Sequence, residues 1–562
     1  MSSALRFRAA IPQHHAVAPK HSLQRPKPGP APSFSFQPPA TAVWVCFHPL
    51  ITKRTCQVIA STLLLLAGCA SSSFVTPLPE RPRPALPALP EAPPAAAREF
   101  RGVWVATIDN KDWPSRPGLS GTQQKKELLA ILDRVAQLHL NAVLLQVRPC
   151  CDALYDSRIE PWSEYLTGAM GVPPSPYYDP LAFAVAEAHK RGLELHAWVN
   201  PFRARLAALK PARSPAHVTR AHPELIRAAG GYLMLDPSDP RARDYSLRVI
   251  LDIVHRYDVD GVHLDDYFYP YPEKGYNPAD FPDDDFWRQY QRDGGKLARG
   301  DWRRDGINTF IQQLYASIKK EKPWVKFGVS PFGIWRPGHP AQVSASLDAY
   351  DALFADSQKW FASGWVDYLS PQLYWPTTEK DRSFSALLNW WGEQNTRRRH
   401  LWPGLRAGVW DDPPPSPALE TAAEIDLTRS LAGASGAVLF RAGFIMLNTN
   451  GVADVLARAY AAPALVPASP WLGGLAPGKP SVRVWKAAGG IIVDWTSSGG
   501  APPWQWLLQK KTGDLWTGEI LPGAQTSRLF RTGTALPRAV ALTAVTRTGI
   551  LSPPALSSFP PR

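Results

Sequence analysis

Short apolar runs rich in β-branched residues alternate with amphipathic segments between Arg98 and Pro463. Such alternation is typical of a parallel sheet whose strands are connected by helices. Eight units in about 365 residues predict a (β/α)8 TIM barrel with some long loops. A doubly wound sheet is the alternative, but it usually has fewer units, and no Gly-rich phosphate turn follows the first run. The eight runs are GVWVATI (102–108), NAVLLQV (141–147), LELHAWVN (193–200), DGVHLDDY (260–267), VKFGVSPFG (325–333), VDYLSPQLYW (366–375), LWPGLRAGV (401–409) and GAVLFRA (436–442).

Two of the segments between these runs place their apolar residues at helical spacing. Such spacing puts the side chains on one face of a helix, which predicts amphipathic helices that pack on the sheet. The residues concerned are Leu128, Leu132, Val135 and Leu138 after the first run, and Ile307, Phe310, Ile311, Leu314 and Ile318 after the fourth.

The character of the chain changes after Pro463, so we expect the barrel to cover residues 98–463. Residues 464–480 read ALVPASPWLGGLAPGKP, a linker rich in Pro and Gly. Residues 481–562 then alternate apolar and polar positions between turn signals. About 80 residues of short strands predict a small all-β sandwich similar to fibronectin type III domains.

The first 97 residues are predicted to be an address and a spacer. Lys53 and Arg54 precede QVIASTLLLLAGC, whose apolar run is too short to span a bilayer. This order resembles a bacterial lipoprotein signal, in which the chain is cut before Cys69 and that thiol is acylated as a lipid anchor. Ala70, rather than Asp, follows the cysteine and implies an outer-membrane lipoprotein of the cell envelope that faces the periplasm. The expected segments are an upstream extension before the true translation start (1–50), the signal peptide (51–69) and a Pro-rich tether (70–97).

The net charge of +14 is concentrated at the two ends of the chain. Residues 1–97 and residues 464–562 each carry +7, so residues 98–463 are neutral. Because no basic stripe covers the largest domain, nucleic-acid binding is excluded as its main activity. The basic ends fit contact with an anionic surface, and they equally fit a solvated face.

The cysteines indicate neither a metal site nor a disulfide framework. Cys150 and Cys151 are adjacent, and the other three cysteines lie within the first 70 residues. None of these spacings is typical of a metal centre. We predict that Cys150 and Cys151 are free thiols.

Two adjacent carboxylates end the fourth run, where the active site of a barrel is built. Alternation along a strand puts His263 and Asp265 on one face, pointing into the barrel mouth, while Asp266 begins the loop. Paired carboxylates are the equipment of glycoside hydrolysis, since one stays ionised and the other is held protonated by its neighbour. The structural alternative is that Asp266 caps the following turn and that Arg148 or Arg203 pairs with Asp265.

Six motifs carry a resemblance to a known family. In their order, and over residues 99–460, they are similar to the glycosyl hydrolase-like 10 family. The resemblance implies a TIM-barrel enzyme of the cell envelope that needs no cofactor. It further implies a division-associated lipoprotein that hydrolyses peptidoglycan glycan strands without stem peptides and meets cell-division proteins. The motifs are EFRGVWVATIDNKDWPS, QVRPCCDALYDSRIEPWSEYLTG, HAWVNPFR, DGVHLDDYFYPYP, GVSPFGIWR and DYLSPQLYW.

The proton donor is not fixed by this resemblance. The fourth run also resembles the family 18 chitinase signature DGxDxDxE, but His263 stands at the first inner Asp and Tyr267 at the acid Glu. The substrate-assisted mechanism of those chitinases is therefore not carried over. Asp266 and Glu160 are the first candidates for the acid. The others are Asp356, which is also a typical helix N-cap, and Asp411 and Asp412.

Further polar and aromatic residues near the run ends are predicted to bind substrate. Arg148, Arg203 and Arg336 suit the lactyl carboxylates that become free without stem peptides, and each equally suits a structural ion pair. Trp104 fits either a sugar platform or the core. The remaining predicted contacts are Asn200, His263, Tyr267, Gln372 and Tyr374 for polar groups, and Trp335 and Trp375 for stacking on sugar rings.

Two other functional classes were weighed against the hydrolase. His196, His263 and Asp265 would converge in a metal-dependent amidohydrolase barrel, but such barrels need a His-x-His on the first strand, which here reads WVATID. No metal is therefore predicted, and no nucleophile elbow indicates a Ser or Cys nucleophile. A non-catalytic glycan receptor is favoured only by Tyr267, whereas the unbroken set of strand-end carboxylates favours the enzyme.

Overall fold

The described part of the chain begins after the predicted lipoprotein signal. The predicted signal peptide, its Cys69, the upstream extension and most of the tether lie outside the described residues, as do Asp411 and Asp412. Residues Leu89–Arg562 form one compact unit. Within the described ranges, no helix is both long and apolar enough to cross a membrane. The computed structural model describes residues 92–206, 214–273, 275–344, 346–408, 414, 416–531, 533 and 535–559.

Strands and helices alternate through most of this unit. The strands are β1 (Phe100–Val105), β2 (Ala142–Arg148), β3 (Glu194–Val199), β4 (Arg203–Leu206), β5 (Ile226–Ala229), β6 (Tyr232–Leu235), β7 (Gly261–Leu264), β8 (Lys326–Val329), β9 (Tyr368–Leu369), β10 (His400–Leu401), β11 (Gly404–Arg406), β12 (Gly436–Phe440), β13 (Ser481–Ala487), β14 (Gly490–Thr496), β15 (Gln505–Thr512), β16 (Leu515–Pro522), β17 (Ser527–Arg531), β18 (Ala539–Val545) and β19 (Ala555–Ser558). The α-helices are α1 (Gly121–Gln137), α2 (Glu164–Thr167), α3 (Pro180–His189), α4 (Val218–Ala221), α5 (Pro240–Arg256), α6 (Asp284–Arg292), α7 (Arg299–Glu321), α8 (Ala349–Ala352), α9 (Ser357–Ser363), α10 (Phe384–Gln394), α11 (Pro417–Ser430), α12 (Ala442–Met446) and α13 (Val452–Ala459).

Nine strands, counted over the described residues, form one parallel sheet in the order β10-β9-β8-β7-β3-β2-β1-β12-β11. Each of the eight predicted runs contributes to it, and the seventh run contributes both β10 and β11. These two strands lie at opposite ends of the order, yet only Trp402 and Pro403 separate them in the chain. The prediction of an α/β fold with a parallel sheet is confirmed.

Both faces of this sheet are buried, which is why its strands read as nearly continuous apolar runs. On one face, α1 and α7 bury the apolar rows that helical spacing predicts. Helix α1 starts after Ser120, which forms a capping box with Gln123. The other face carries a layer of large buried side chains that pack against one another. Its rings are Phe100, Trp104, Trp198, Tyr368 and Trp402.

A small antiparallel sheet, in the order β4-β6-β5, is inserted after β3. Its strands are four residues long, which is too short for a periodic pattern, and the sequence predicts no sheet here. Strand β4 starts at Arg203, three residues after Asn200. The insertion therefore places a guanidinium group beside the carboxyl end of β3.

The C-terminal module, residues 481–559, consists of two antiparallel sheets, β13-β14-β17 and β16-β15-β18-β19. Trp495 of the first sheet and Trp506 of the second are buried, with ring centroids 6.1 Å apart, so the two sheets pack face to face. The prediction of an all-β C-terminal region is confirmed. Its likeness to fibronectin type III domains stays a prediction.

The C-terminal module packs against the amino-terminal ends of β3 and β7. Gln505 Nε2 donates to the carbonyl of Gly192 at 2.7 Å, just before β3. The ring of Trp504 meets His189 edge-on at 4.3 Å, and the Arg547 guanidinium lies 4.1 Å from the Trp504 ring centroid. The candidate site lies at the opposite, carboxyl-terminal ends of the strands.

Candidate active site

Asp265 and Asp266 follow β7 at its carboxyl end and are only 4% and 6% exposed. The neighbouring β3 supplies the donors to Asp265, because β3 and β7 pair directly. The side-chain amide of Asn200 donates to both carboxylate oxygens, at 2.9 and 3.0 Å, and Trp198 Nε1 donates to Oδ2 at 3.1 Å. Three donated hydrogen bonds favour the ionised form of this buried carboxylate.

The two neighbouring aspartates have different electrostatic surroundings. Burial raises the pKa of Asp265, and the Arg203 charge with the hydrogen bonds from Asn200 and Trp198 opposes that rise. Burial, followed by the charge of Asp265, raises the pKa of Asp266 to about 7, and hydrogen bonds from the Tyr271 hydroxyl and from the backbone of Asp266 itself oppose that rise. The two carboxyl groups therefore differ in their surroundings, because three donated hydrogen bonds favour the ionised form of Asp265, whereas its charge favours a proton on Asp266.

Aromatic rings surround this pair on the loop side. The Arg203 guanidinium lies 4.6 Å from the ring centroid of Tyr267, which also meets Tyr232 at 6.2 Å and Tyr271 at 5.2 Å. Tyr374 is half-buried, close enough to Asp266 to be affected by its charge. The structure thus gathers the predicted Arg203, Tyr267 and Tyr374 around the carboxylates, where low polarity keeps a proton on one of them.

His263 lies beneath the carboxylates against the layer of large buried side chains, and it is fully buried. Trp104 Nε1 lies 3.0 Å and Ser330 Oγ 2.9 Å from its Nε2, and the Tyr368 hydroxyl lies 3.1 Å from its Nδ1. Since an indole only donates, Nε2 accepts and Nδ1 carries the proton. Burial holds the pKa of His263 well below its ordinary value. This enclosed position favours a positioning role over the predicted contact with substrate.

A continuous row of hydrogen bonds extends from Tyr368 away from the site. The Tyr368 hydroxyl lies 2.9 Å from His196 Nδ1, and His196 Nε2 lies 3.0 Å from Glu194, which pairs with Lys326 at 2.8 Å. Each polar group in this row has a protein partner, so neither histidine has a ring nitrogen left for a metal ion. Within the described ranges, no group of three His, Cys, Asp or Glu side chains is arranged to hold one.

Arg148 and Glu160 form a salt bridge whose side chains are both completely buried. The Arg148 guanidinium donates from Nε and Nη2 to the Glu160 carboxylate, at 2.8 and 2.6 Å. Its Nη1 donates to the carbonyl of Asn200 at 2.8 Å. It also donates to Cys151, which is free and buried like Cys150, as predicted. The bidentate pairing favours a structural role for both side chains, because neither is open to a sugar.

Two further predicted contacts, Gln372 and Trp375, have partners within the protein. Gln372 donates to the carbonyl of Ser330 at 2.9 Å. Half-buried Trp375 packs edge-on against Phe332 at 5.6 Å, and Phe332 contacts the ring of Tyr271 at 6.4 Å. A row of rings therefore connects Trp375 to the hydroxyl that contacts Asp266, which is where a stacking platform for a neighbouring sugar is expected.

Trp335, Arg336 and Asp356 have protein partners of their own. The Trp335 ring stacks on Trp390 of α10 at 5.8 Å, so one of its faces is covered. Arg336 pairs with Asp348 at 3.0 Å, which is the ion-pair alternative that the sequence left open. Asp356 accepts from the backbone of Lys359 as the N-cap of α9, and this agrees with its other predicted role.

Three residues of the site were missed by sequence reasoning: Trp198, Tyr232 and Tyr271. Trp198 is two positions before Asn200, so alternation along β3 was a usable signal for it. Tyr271 belongs to the aromatic cluster after Asp266, but its contact depends on the turn at residues 267–270. Tyr232 is placed in the site by the inserted sheet, which no pattern in the sequence predicts.

Comparisons of sequence with known proteins agree on one family. The sequence model of the family described as Glycosyl hydrolase-like 10 matches residues 99–411. A Bacillus subtilis protein named glycosyl hydrolase YngK is 41% identical over 395 residues, covering 68% of this chain and 76% of that protein. Glycosyl hydrolase DigH of Escherichia coli K12 is 34% identical over 430 residues, covering 70% and 94%. Among solved structures, the PgaB (BpsB) glycoside hydrolase domain of Bordetella bronchiseptica matches at 14% identity and a TM-score of 0.39, over 64% of this chain and 98% of that one.

Proposed function

Because the chain belongs to the glycosyl hydrolase-like 10 family and is a glycoside hydrolase, we propose that it cleaves peptidoglycan glycan strands that lack stem peptides. One observation carries the chemistry: in a pair of adjacent buried aspartates, Asp265 accepts three hydrogen bonds that favour its ionised form, and burial with the charge of Asp265 raises the pKa of Asp266 to about 7. The substrate is supported by the guanidinium of Arg203, whose charge acts on Asp265. A guanidinium suits sugars with free lactyl carboxylates.

In the proposed mechanism, Asp266 is the general acid that protonates the oxygen of the leaving sugar. Its Oδ2 accepts from Tyr271, which leaves Oδ1 to carry the proton toward the glycosidic bond. A pKa of about 7 suits a group that must hold a proton and then release it at neutral pH. Asp265 remains ionised and stabilises the positive charge that develops on the sugar as its bond breaks; water then adds to the anomeric carbon and gives its proton to the carboxylate pair, which restores the acid.

We also propose that the parallel sheet closes into a (β/α)8 barrel, with β10 and β11 as two halves of the seventh strand. Trp402, just after β10, donates its backbone N–H to the carbonyl of Leu369 in β9. Val438 of β12 donates its backbone N–H to the carbonyl of Pro403 at 3.0 Å. The short stretch from His400 to Arg406 is therefore hydrogen-bonded to β9 on one side and to β12 on the other. Closure would bring the carboxyl ends of the strands together around Asp265 and Asp266.

The proposed location is the periplasmic side of the outer membrane, with Cys69 as the lipid anchor and residues 70–97 as the tether. The support is the order of charged, apolar and small residues before Cys69, followed by Ala70. Cell-division proteins are the proposed partners, by the family resemblance. A receptor without catalysis is the alternative, but a buried carboxyl with the pKa of a proton donor favours the enzyme.

The test is to incubate the purified chain with amidase-stripped glycan strands and to read the products by mass spectrometry. Asp265→Asn and Asp266→Asn are compared with Asp280→Asn, which changes an exposed aspartate of the following loop. We expect short sugars with ordinary reducing ends from the parent and from Asp280→Asn, and a loss of at least 100-fold in the other two. Binding of strands by a folded parent without any product would make the receptor the correct assignment.

A further inference from the structure

The sheet β13-β14-β17 has an outer face that is turned away from the core of the C-terminal module. Register places Trp485 opposite Ile492, and Ile492 opposite Leu529, so the three side chains form one row across the sheet. Trp485 and Leu529 are each 40% exposed. The alternate residues Ile491 and Val493 are buried between the sheets, which places the row on the outside.

The Trp485 ring is held in a fixed orientation although it is exposed. Its Nε1 donates to Asp494 Oδ2 at 2.9 Å, across the pair of strands. The same carboxylate accepts two hydrogen bonds from Arg483, at 3.1 and 2.8 Å, and these bonds, followed by the one from Trp485, lower its pKa. A ring that is already oriented loses little further freedom when a ligand binds, which favours association.

An arginine side chain lies on each side of this apolar row. Two residues along the strands in one direction, Arg483 lies opposite Asp494, with which it forms an ion pair, and its side chain is 76% exposed. Two residues in the other direction, Arg531 lies opposite Gly490. Residues 481–559 carry eight Lys and Arg and three Asp and Glu, a net charge of +5, so the module as a whole attracts anions. A flat strip of ring and aliphatic carbon on a module of positive net charge matches a sugar chain that has apolar ring faces and carboxylates at its edges.

We propose that this outer face is a second glycan-binding site that takes a polysaccharide bearing carboxylates. The identification of that polymer as peptidoglycan rests on the proposed function, whereas the site itself rests on the row Trp485–Ile492–Leu529 and its flanking arginines. The site is distinct from the carboxylates at the carboxyl ends of the strands, because the module docks at their amino-terminal ends. Its role is to hold the enzyme on the polymer.

The test measures co-sedimentation of the full chain with amidase-stripped glycan strands and with chitin, a neutral polymer of related sugars. Every chain carries Asp266→Asn, so the result does not depend on cleavage. Trp485→Ala is compared with Leu515→Ala, an exposed apolar residue on the other sheet of the module. We expect about tenfold weaker binding of the stripped strands for Trp485→Ala and no change for Leu515→Ala.

Charge is tested by a second matched pair, Arg483→Gln and Arg538→Gln, which remove one positive charge on and off the outer face. We expect about threefold weaker binding for the first and no change for the second at low salt. Equal binding by Trp485→Ala and Leu515→Ala overturns the proposal, and so does equal binding to chitin or a Trp485-dependent affinity for anionic lipid vesicles alone. An absence of products in the cleavage assay, with Trp485-dependent binding retained, removes the proposed function and supports this second site.

Discussion

Arg547 of the C-terminal module donates to Asp260 Oδ1 at 2.9 Å, five residues before Asp265. The other carboxylate oxygen accepts the backbone N–H of Leu195 and lies 2.9 Å from His189 Nε2. A residue of the module thus completes the hydrogen bonds of a buried carboxylate between β3 and β7. The module is part of the folded unit rather than a spacer attached to it.

Replacing Arg547 should therefore destabilise the whole unit. Arg547→Met leaves the buried Asp260 without its charged donor, and we expect the free energy of unfolding to fall by about 2 kcal/mol. Urea denaturation followed by intrinsic fluorescence measures the change. The control is Arg538→Met, an exposed arginine of the same module, which should stay within about 0.5 kcal/mol of the parent. Equal stability of the two variants would contradict a structural role for the contact.

The pH dependence of hydrolysis should reflect the proton donor. Because the acid acts only when protonated, we expect activity to be lost as the pH rises through about 7, the pKa of Asp266. The hydrogen bond from Tyr271 lowers this pKa. Tyr271→Phe should therefore move the alkaline limb to higher pH, by up to about one unit.

The matched control for that shift is Tyr276→Phe, since the Tyr276 hydroxyl is buried without a hydrogen-bond partner among the described residues. Its profile of kcat/KM against pH should coincide with that of the parent. An alkaline limb that stays in place in Tyr271→Phe, or that moves to lower pH, would mean that Asp266 is not the titrating acid.

The buried pair of Arg148 and Glu160 should matter for stability more than for bond cleavage. Arg148→Met leaves a carboxylate buried and unpaired, and we expect unfolding to become easier by about 3–5 kcal/mol. Adding Glu160→Leu should restore part of this loss, because the unpaired charge is then gone. Chemical denaturation of the single and double variants measures both changes.

Activity separates this structural role from the catalytic one that the sequence also allows for Glu160. Folded Glu160→Gln should keep kcat within about tenfold of the parent, because Asp266 still supplies the proton. A loss of more than about 100-fold at unchanged stability would instead identify Glu160 as the general acid.

His400 should make the protein sensitive to acid. Burial, with the nearby charge of Lys326, lowers the pKa of His400 to about 3, whereas an unfolded histidine has a pKa of about 6.5. Between these values the unfolded chain binds a proton that the folded chain does not. The contribution of neutral His400 to the free energy of unfolding is therefore complete above about pH 6.5. It is lost as the pH falls, by up to about 1.4 kcal/mol per pH unit.

A variant without this histidine should show a flatter dependence of stability on pH. We expect the free energy of unfolding of His400→Phe to change less between pH 6 and pH 4 than that of the parent. His255→Phe replaces a histidine whose side chain is 73% exposed and serves as the control. Parallel curves for the parent and His400→Phe would show that His400 does not stay neutral in the folded state.

Alternation along 260–267 predicts the face of each residue correctly but not its depth. His263 and Asp265 do share a face, as the period of two requires. His263 lies about 7 Å further down the strand, since each residue advances about 3.3 Å. At that depth Trp104 and Tyr368 close around it. A residue that points into the sheet interior is therefore not necessarily one that reaches a ligand.

Contacts that depend on the path of a loop were beyond prediction. Arg148 and Glu160 are twelve residues apart, and the segment between them has no periodic pattern that would bring the two side chains together. The sequence therefore offered them as two separate functional residues. Tyr232 reaches Tyr267 only because short strands fold the segment after Arg203 back over β7. The periodic spacing of apolar residues predicts the strands of the sheet. The residues that surround the carboxylates depend instead on individual contacts made by loops.

The attachment of the C-terminal module behind the strands has an evolutionary consequence. On the side of the parallel sheet, this junction presents the carboxylate of Asp260, the ring of His189 and the carbonyl of Gly192, which Arg547, Trp504 and Gln505 contact. A different domain that supplied equivalent groups would leave Asp265 and Asp266, at the opposite ends of the strands, unchanged. Recombination at this junction would redirect the enzyme to another matrix without altering which bond it breaks.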